Sequence, residues 1–216
     1  MARRLRERRR GRRLSLRRTL RASVATGGLP VRLHRRLRRM PPVKLALFVD
    51  VSGSMDAYSA FFMRFVHALT GRFQQAEAFL FHTQLAHISG PLREADPVKM
   101  LEKMTLISQG WSGGTRIGAA IRDFNTHYAD IAGGSRTVAV ILSDGYDTGA
   151  PDELAAALHQ LRARTHKVFW LNPMIGRDGY APETRAMAAA LPYLDLFAPA
   201  HNLESLEALE QALVRA

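Results

Sequence analysis

The chain of 216 residues contains no cysteine. Disulfides, zinc–thiolate sites, iron–sulfur clusters and a cysteine nucleophile are therefore excluded, and nothing points to an oxidising compartment. Nor is there an apolar run of the ~18 residues that a membrane-crossing helix needs. Arg17-Arg18 has the look of a twin-arginine export signal. The residues after it, TLRASVATGGLPVRLHRR, are broken by Arg21, Gly27-Gly28 and Pro30 and provide no apolar h-region. A cytoplasmic protein is expected. Acidic and aromatic residues are scarce at one end. Residues 1–40 hold one acid, Glu7, and no aromatic residue, against 16 of the chain's 31 Lys+Arg.

Residues 41–216 keep the other 15 basic residues against 18 acids, so the net charge of +12 belongs to the N-terminal segment and not to the body. Without aromatic side chains the segment has no platform for stacking bases. Contact with phosphate would be non-specific and would weaken steeply with salt. Three roles stay open for it: a solvated tail, an arm for nucleic acid or an anionic membrane surface, or a docking element for an acidic partner. Residues 1–13 are too charged to pack and read as disordered. Residues 14–40 mix Leu, Val and Met with arginine and suggest one or two short amphipathic helices. Two regions follow: an Arg-rich segment over 1–40, partly disordered, and a folded domain over 41–216 that begins at Pro41-Pro42.

The domain reads as strands alternating with helices. VKLALFVD (43–50), EAFLFHT (77–83), RTVAVILSD (136–144), HKVFWLNP (166–173) and YLDLFAP (193–199) are strand-like, and LAHIS (85–89) is a short edge strand after a tight turn. Helices are predicted over 58–69, 96–104, 115–129, 151–164, 182–191 and 203–216. The strands are rich in Val, Ile, Leu and Phe with little alternation, which implies burial on both faces. A three-layer Rossmann-like α/β fold is predicted, its central sheet of about six strands mostly parallel with one antiparallel edge strand. Ligands of such sheets sit beyond the carboxyl ends of the strands.

At those ends stand Asp50, Ser52 and Ser54, then Asp144 in LSDG, with Thr115 after the turn GWSGG. Two carboxylates and three hydroxyls suit a hard divalent cation, Mg²⁺ or Mn²⁺. The absence of soft or imidazole donors argues against zinc and copper. If the hydroxyls bind directly and the carboxylates through water, the cation stays electron-poor and can accept a carboxylate from outside. Gly53 and Gly113-Gly114 are expected to let the loops approach closely. Asp147 fits no required position and reads as a solvated loop residue. Met55 and Trp111 could rim the site or pack against the local loops. The eight histidines are scattered and read as core or surface residues.

Enzymatic readings fit less well. A phosphatase built on a strand-end aspartate needs a second acid two residues on, where Ser52 stands. GWSGGTR lacks the lysine of an ATP-binding phosphate loop. The two serines lack the G-x-S-x-G elbow context of hydrolase nucleophiles. A Mg²⁺-dependent hydrolase remains an alternative.

The five residues together resemble the metal-ion-dependent adhesion site of von Willebrand factor A (VWA) domains. The D-x-S-x-S element is Asp50 to Ser54, the threonine is Thr115 and the later aspartate is Asp144. RRTLRASVATGGLPVRLHRRLRRMPPVKLALFVDVSGSMDAYS, EAFLFHTQL, PLREAD, GGTRIGAAI, ILSDGYDTG and VFWLNP resemble the CoxE-like subgroup of bacterial VWA proteins. The resemblance implies a non-enzymatic module that works with a MoxR-type AAA+ ATPase. The pair would mature or assemble a client, such as a carbon monoxide dehydrogenase-type metalloenzyme. An Asp or Glu of the partner would complete the metal's coordination.

Overall fold

A computed structural model divides the chain into two compact units, Met1–Pro41 and Pro42–Ala216. It describes residues 6–7, 13–14, 19, 35–37, 43–73, 75–94, 96–111, 113–176, 181–182, 184–201, 209 and 212–213. In the first unit Arg6–Glu7 (β1), Arg13–Leu14 (β2) and Arg35–Leu37 (β3) form an antiparallel sheet in the order β1-β3-β2. These positions were expected to be disordered or helical. A mixed Leu/Arg pattern over so short a run does not separate a period of 3.6 from one of 2. Antiparallel pairing satisfies backbone N–H and C=O groups whatever side chains they carry.

The second unit is built on a six-stranded sheet. Its elements run Lys44–Asp50 (β4), Asp56–Arg72 (α1), Ala76–Phe81 (β5), Leu85–His87 (β6), Pro97–Ser108 (α2), Ile117–His127 (α3), Ala129–Ala132 (α4), Gly134–Leu142 (β7), Pro151–Arg164 (α5), Thr165–Asn172 (β8), Arg185–Ala190 (α6) and Leu196–Pro199 (β9). The strand order is β6-β5-β4-β7-β8-β9, and every pairing is parallel except β5 with β6. The predicted mixed sheet with one antiparallel edge strand is the one observed.

The unbroken apolar run of β4 follows from its central place. Leu45, Leu47 and Val49 face one core, with Phe62 and Val66 of α1 and Met100 and Met104 of α2. Ala46 and Phe48 face the other, with Ile121 and Phe124 of α3 and Leu158 and Leu161 of α5. Phe48 stacks on Phe79 at 5.5 Å and meets the edge of Phe124 at 4.8 Å. Burying each such ring contributes ~1.5–3 kcal/mol. Of the closing helix predicted over 203–216, the described residues Leu209, Ala212 and Leu213 are helical, and Leu209 and Leu213 are buried in the first core.

Register then fixes the site. Asp50 lies opposite Phe81, and Val49 opposite Leu142. The carboxyl ends of β4, β5 and β7 therefore form one rim, and the loops that follow them start side by side.

Candidate metal centre

Asp50, the last residue of β4, is fully buried. Its Oδ1 accepts the backbone N–H of Ser52 at 2.9 Å, which curls the chain into the short turn Gly53–Met55. Ser52 Oγ and Ser54 Oγ come to 3.1 Å of each other. Asp50 Oδ2 accepts the hydroxyl of Ser143 at 2.6 Å. Ser143 Oγ in turn accepts the N–H of Gly145 at 3.1 Å, so its own hydrogen is free to point at Asp50.

Asp144 follows directly and is 2% exposed. Its Oδ1 accepts the N–H of Tyr146 at 3.1 Å, and its carbonyl accepts from Asn172 Nδ2 at 2.8 Å. Trp170 Nε1 donates to the carbonyl of Ser143 at 3.0 Å. Two buried side chains of β8 thus hold the main chain from which both Ser143 and Asp144 project.

Thr115 stands two residues ahead of α3 and not at its first position as predicted. Its loop is tied at two points. The N–H of Arg116 donates to the carbonyl of His82, just past β5, at 2.9 Å. The carbonyl of Thr115 accepts the N–H and the hydroxyl of Thr148, each at 2.9 Å. Thr115 is thereby fastened between the end of β5 and the loop that carries Asp144, and only 6% of it is exposed. A Cβ on Gly114 would lie 2.0 Å from Thr148 Cγ2, and Gly113 adopts a φ of 109°. The predicted need for glycine holds there. It does not hold at Gly53, where a Cβ would meet nothing within 4 Å.

Burial is the main cause that raises the Asp50 pKa from 3.8 to about 6, the neighbouring Asp144 carboxylate adds to the rise, and hydrogen bonds from Ser143 and Ser52 pull the other way. Among the described residues no ion pair reaches Asp50 or Asp144. Two neighbouring buried acids without a cationic side chain are an unfavourable arrangement that a bound cation would relieve. The donor spacing suits one. Adjacent corners of an octahedron with ~2.1 Å bonds lie ~3.0 Å apart, and the two serine oxygens are 3.1 Å apart. No cluster of three or more His, Cys, Asp or Glu positioned for a metal exists among the described residues. The donor chemistry at this rim, two buried carboxylates and two serine hydroxyls 3.1 Å apart, fits a hard divalent cation.

Residues 1–206 match the family described as VWA domain containing CoxE-like protein. The chain belongs to this CoxE-like VWA family. Solved structures share its fold. A von Willebrand factor type A protein from Catenulispora acidiphila is 17% identical with a TM-score of 0.55, over 82% of this chain and 43% of that one. An aerotolerance-related membrane protein from Bacteroides fragilis is 18% identical with a TM-score of 0.53, over 81% of this chain and 100% of that one. Proximal thread matrix protein 1 from the mussel byssus, solved with a zinc-occupied metal-ion-dependent adhesion motif, is 18% identical with a TM-score of 0.52, over 80% of this chain and 47% of that one. The chain thus spans under half the length of two of these three. No curated protein sequence matches it. Among the described residues of the CoxE-like chain, no helix is long and apolar enough to cross a membrane.

Several neighbours of the five residues differ from expectation. Asp147 is not a solvated loop residue: its carboxylate accepts the N–H groups of Ile117 at 3.2 Å, Gly118 at 3.1 Å and Gly149 at 2.8 Å. It caps α3 and so fixes the helix that follows Thr115. Met55 is fully buried in the first core and Trp111 packs against the same core, so Met55 supplies no apolar rim. The exposed ring at this edge is Tyr146, 53% open to solvent. Ser143 was missed altogether; as one more small polar residue after a strand it carries no signal until the fold sets it against Asp50.

One further cluster bears on hydrolysis. His87 Nε2 lies 2.7 Å from Glu77 Oε2 and 2.9 Å from Ser89 Oγ. A nucleophile–base relay needs the serine on one ring nitrogen and the acid on the other. Here both contacts use the same nitrogen, so the trio is a hydrogen-bonded group at the edge of the sheet.

Proposed function

We propose that this CoxE-like VWA chain is a protein-interaction module, not an enzyme, whose contact with its partner depends on a divalent cation. Asp50, Ser52, Ser54, Thr115 and Asp144 would hold the cation, Mg²⁺ or Mn²⁺. The observation that carries this reading is the buried Asp50–Asp144 pair, reached by no ion pair among the described residues, beside two serine hydroxyls 3.1 Å apart. When bound, the cation supplies an open coordination position for a partner's Asp or Glu carboxylate. Ser143 and the Ser52 N–H orient the Asp50 carboxylate, and the Thr148 bonds to the Thr115 carbonyl hold the backbone that carries the third hydroxyl. Zinc in the byssus protein's adhesion motif means that zinc belongs in the set of metals to test.

The resemblance to CoxE-like proteins supports a cytoplasmic role beside a MoxR-type AAA+ ATPase, in maturing or assembling a client such as a carbon monoxide dehydrogenase-type metalloenzyme. The test is capture of a MoxR-type AAA+ ATPase from the same organism, in Mg²⁺, in EDTA, and by Asp50→Ala. Capture in Mg²⁺ alone supports the reading. Equal capture in all three contradicts it.

A second reading uses residues 1–40, where 16 arginines face one acid. That excess suits nucleic acid or an anionic membrane surface. RNA or anionic-vesicle binding that is lost on deleting residues 1–40, with cation binding intact, would favour it over a docking element for an acidic partner.

A further inference from the structure

The segment VFWLNP at the end of β8 supplies none of the five candidate ligands. Two of its side chains nevertheless reach the metal loop, and both are fully buried. Trp170 Nε1 donates to the carbonyl of Ser143 at 3.0 Å, and Asn172 Nδ2 donates to the carbonyl of Asp144 at 2.8 Å. The next carbonyl, that of Gly145, accepts the hydroxyl of Thr184 at 3.4 Å. Three successive carbonyls of the loop are thus each met by a side-chain donor.

The donors are themselves held. Asn172 Oδ1 accepts the N–H of Met174 at 2.8 Å, which fixes the end of the amide that faces Asp144. The carbonyl of Asn172 accepts the N–H of Ala200 at 3.2 Å. Thr184 Oγ1 accepts the N–H of Met187 at 3.1 Å, so its own hydrogen is free to point at Gly145. Gly145 adopts a φ of 83°, and a Cβ there would lie 2.3 Å from Met187 Sδ, so only glycine brings this carbonyl so close to α6.

The direction of these bonds matters for a cation. β7 lies between β4 and β8 in the sheet. Donors on β8 draw the Ser143 and Asp144 carbonyls to the side away from β4, where Asp50, Ser52 and Ser54 stand. The loop therefore offers the rim the Asp144 carboxylate and withholds its main-chain oxygens. Ca²⁺ takes about six to eight oxygens, backbone carbonyls among them, at ~2.3–2.6 Å, whereas Mg²⁺ takes a near-octahedral set at ~2.0–2.1 Å and keeps several waters. We infer that Trp170, Asn172 and Thr184 set the cation selectivity of the centre: they hold back the carbonyls that the larger Ca²⁺ draws on, and so favour Mg²⁺. All three are positioning residues and none is a ligand. The inference rests on the metal-dependent reading above.

The test is displacement of bound Mn²⁺ from the full chain by Mg²⁺ and by Ca²⁺, followed by the electron paramagnetic resonance of Mn²⁺. The proteins are wild type, Asn172→Leu, Trp170→Phe and, as a control, Asn125→Ala. Asn125 Nδ2 donates to the Ala157 carbonyl at 2.9 Å, a buried bond of the same kind between α3 and α5. Wild type should release Mn²⁺ at a lower concentration of Mg²⁺ than of Ca²⁺. Asn172→Leu should shift that ratio toward Ca²⁺ by about tenfold, the scale on which residues behind the ligands tune metal sites. Trp170→Phe, which keeps an aromatic ring in the core, should shift it in the same direction and decides the matter alone if Asn172→Leu does not fold. Asn125→Ala should lose stability in denaturant melts and keep the wild-type ratio. An unchanged ratio in the β8 variants, an equal shift in Asn125→Ala, or a wild type that prefers Ca²⁺ would overturn the inference and leave the metal centre standing. No binding of Mn²⁺ by the wild type would overturn the metal-dependent reading and the inference with it.

Discussion

Ser143 Oγ donates to Asp50 Oδ2 at 2.6 Å, joining the end of β7 to the end of β4 beneath the candidate metal centre. This direct side-chain bond stabilises the charged form of a carboxylate that burial penalises. Ser143→Ala should therefore lower the stability of the cation-free protein at neutral pH by ~1–2 kcal/mol. It should also weaken Mn²⁺ binding several-fold, because Asp50 is then less readily ionised and less well oriented. Denaturant melts and calorimetry on the purified variant check both.

The raised Asp50 pKa has a definite consequence for stability. Between the unfolded value of 3.8 and the folded value of about 6, the folded chain keeps a proton that the unfolded chain has lost. The stabilising contribution of protonated Asp50 is present below the window and is lost as pH rises through it, by ~3 kcal/mol for a shift of about two units. In EDTA, wild type should lose stability relative to Asp50→Asn as pH rises from 4 to 7. Added Mn²⁺ should restore the wild type at pH 7 and leave the variant unchanged. Parallel pH-dependent melts that do not diverge would count against the buried, uncompensated Asp50.

Gly114→Ala tests the fastening of Thr115. The added Cβ would overlap the Thr148 side chain, so a destabilisation of ~1–3 kcal/mol is expected. Thr148→Ala removes the two nearest obstructing atoms, Cγ2 and Oγ1, but keeps Cβ at 2.8 Å, and it removes one bond to the Thr115 carbonyl. The double variant should recover part of the loss, which makes a double-mutant cycle the right readout.

Asp147→Ala should cost ~1–2 kcal/mol, as removal of a helix cap does. Its cation affinity should fall far less than that of Thr115→Ala, because Asp147 touches backbone N–H groups of α3 and the loop and is not one of the five proposed ligands.

The layered sheet was legible because β4, β7 and β8 are buried on both faces, and double burial leaves a run of Val, Ile, Leu and Phe that few other environments require. The candidate site was legible for a similar reason. Asp50, Ser52 and Ser54 follow one such run, Asp144 follows another, and parallel strands end on a common rim. What escaped the sequence depends on contacts between distant segments. The Ser143–Asp50 bond spans 93 positions and the Asp147 cap spans about 30. Neither leaves a local pattern. Of the two places left open for Met55, rim or interior, the structure takes the interior, because the turn at Gly53 swings its side chain into the core. The strands at Arg13–Leu14 and Arg35–Leu37 escaped because pairing of so few residues is set by the partner strand and not by the residues' own pattern.

The central claim is that Asp50, Ser52, Ser54, Thr115 and Asp144 hold one divalent cation. Calorimetric titration of Mn²⁺ into the full chain, the wild type beside Thr115→Ala and Asp50→Ala, tests it most directly. The account predicts one saturable site in the wild type, binding at least tenfold weaker in Thr115→Ala, and none in Asp50→Ala. No saturable binding by the wild type, or equal binding by all three proteins, would contradict it.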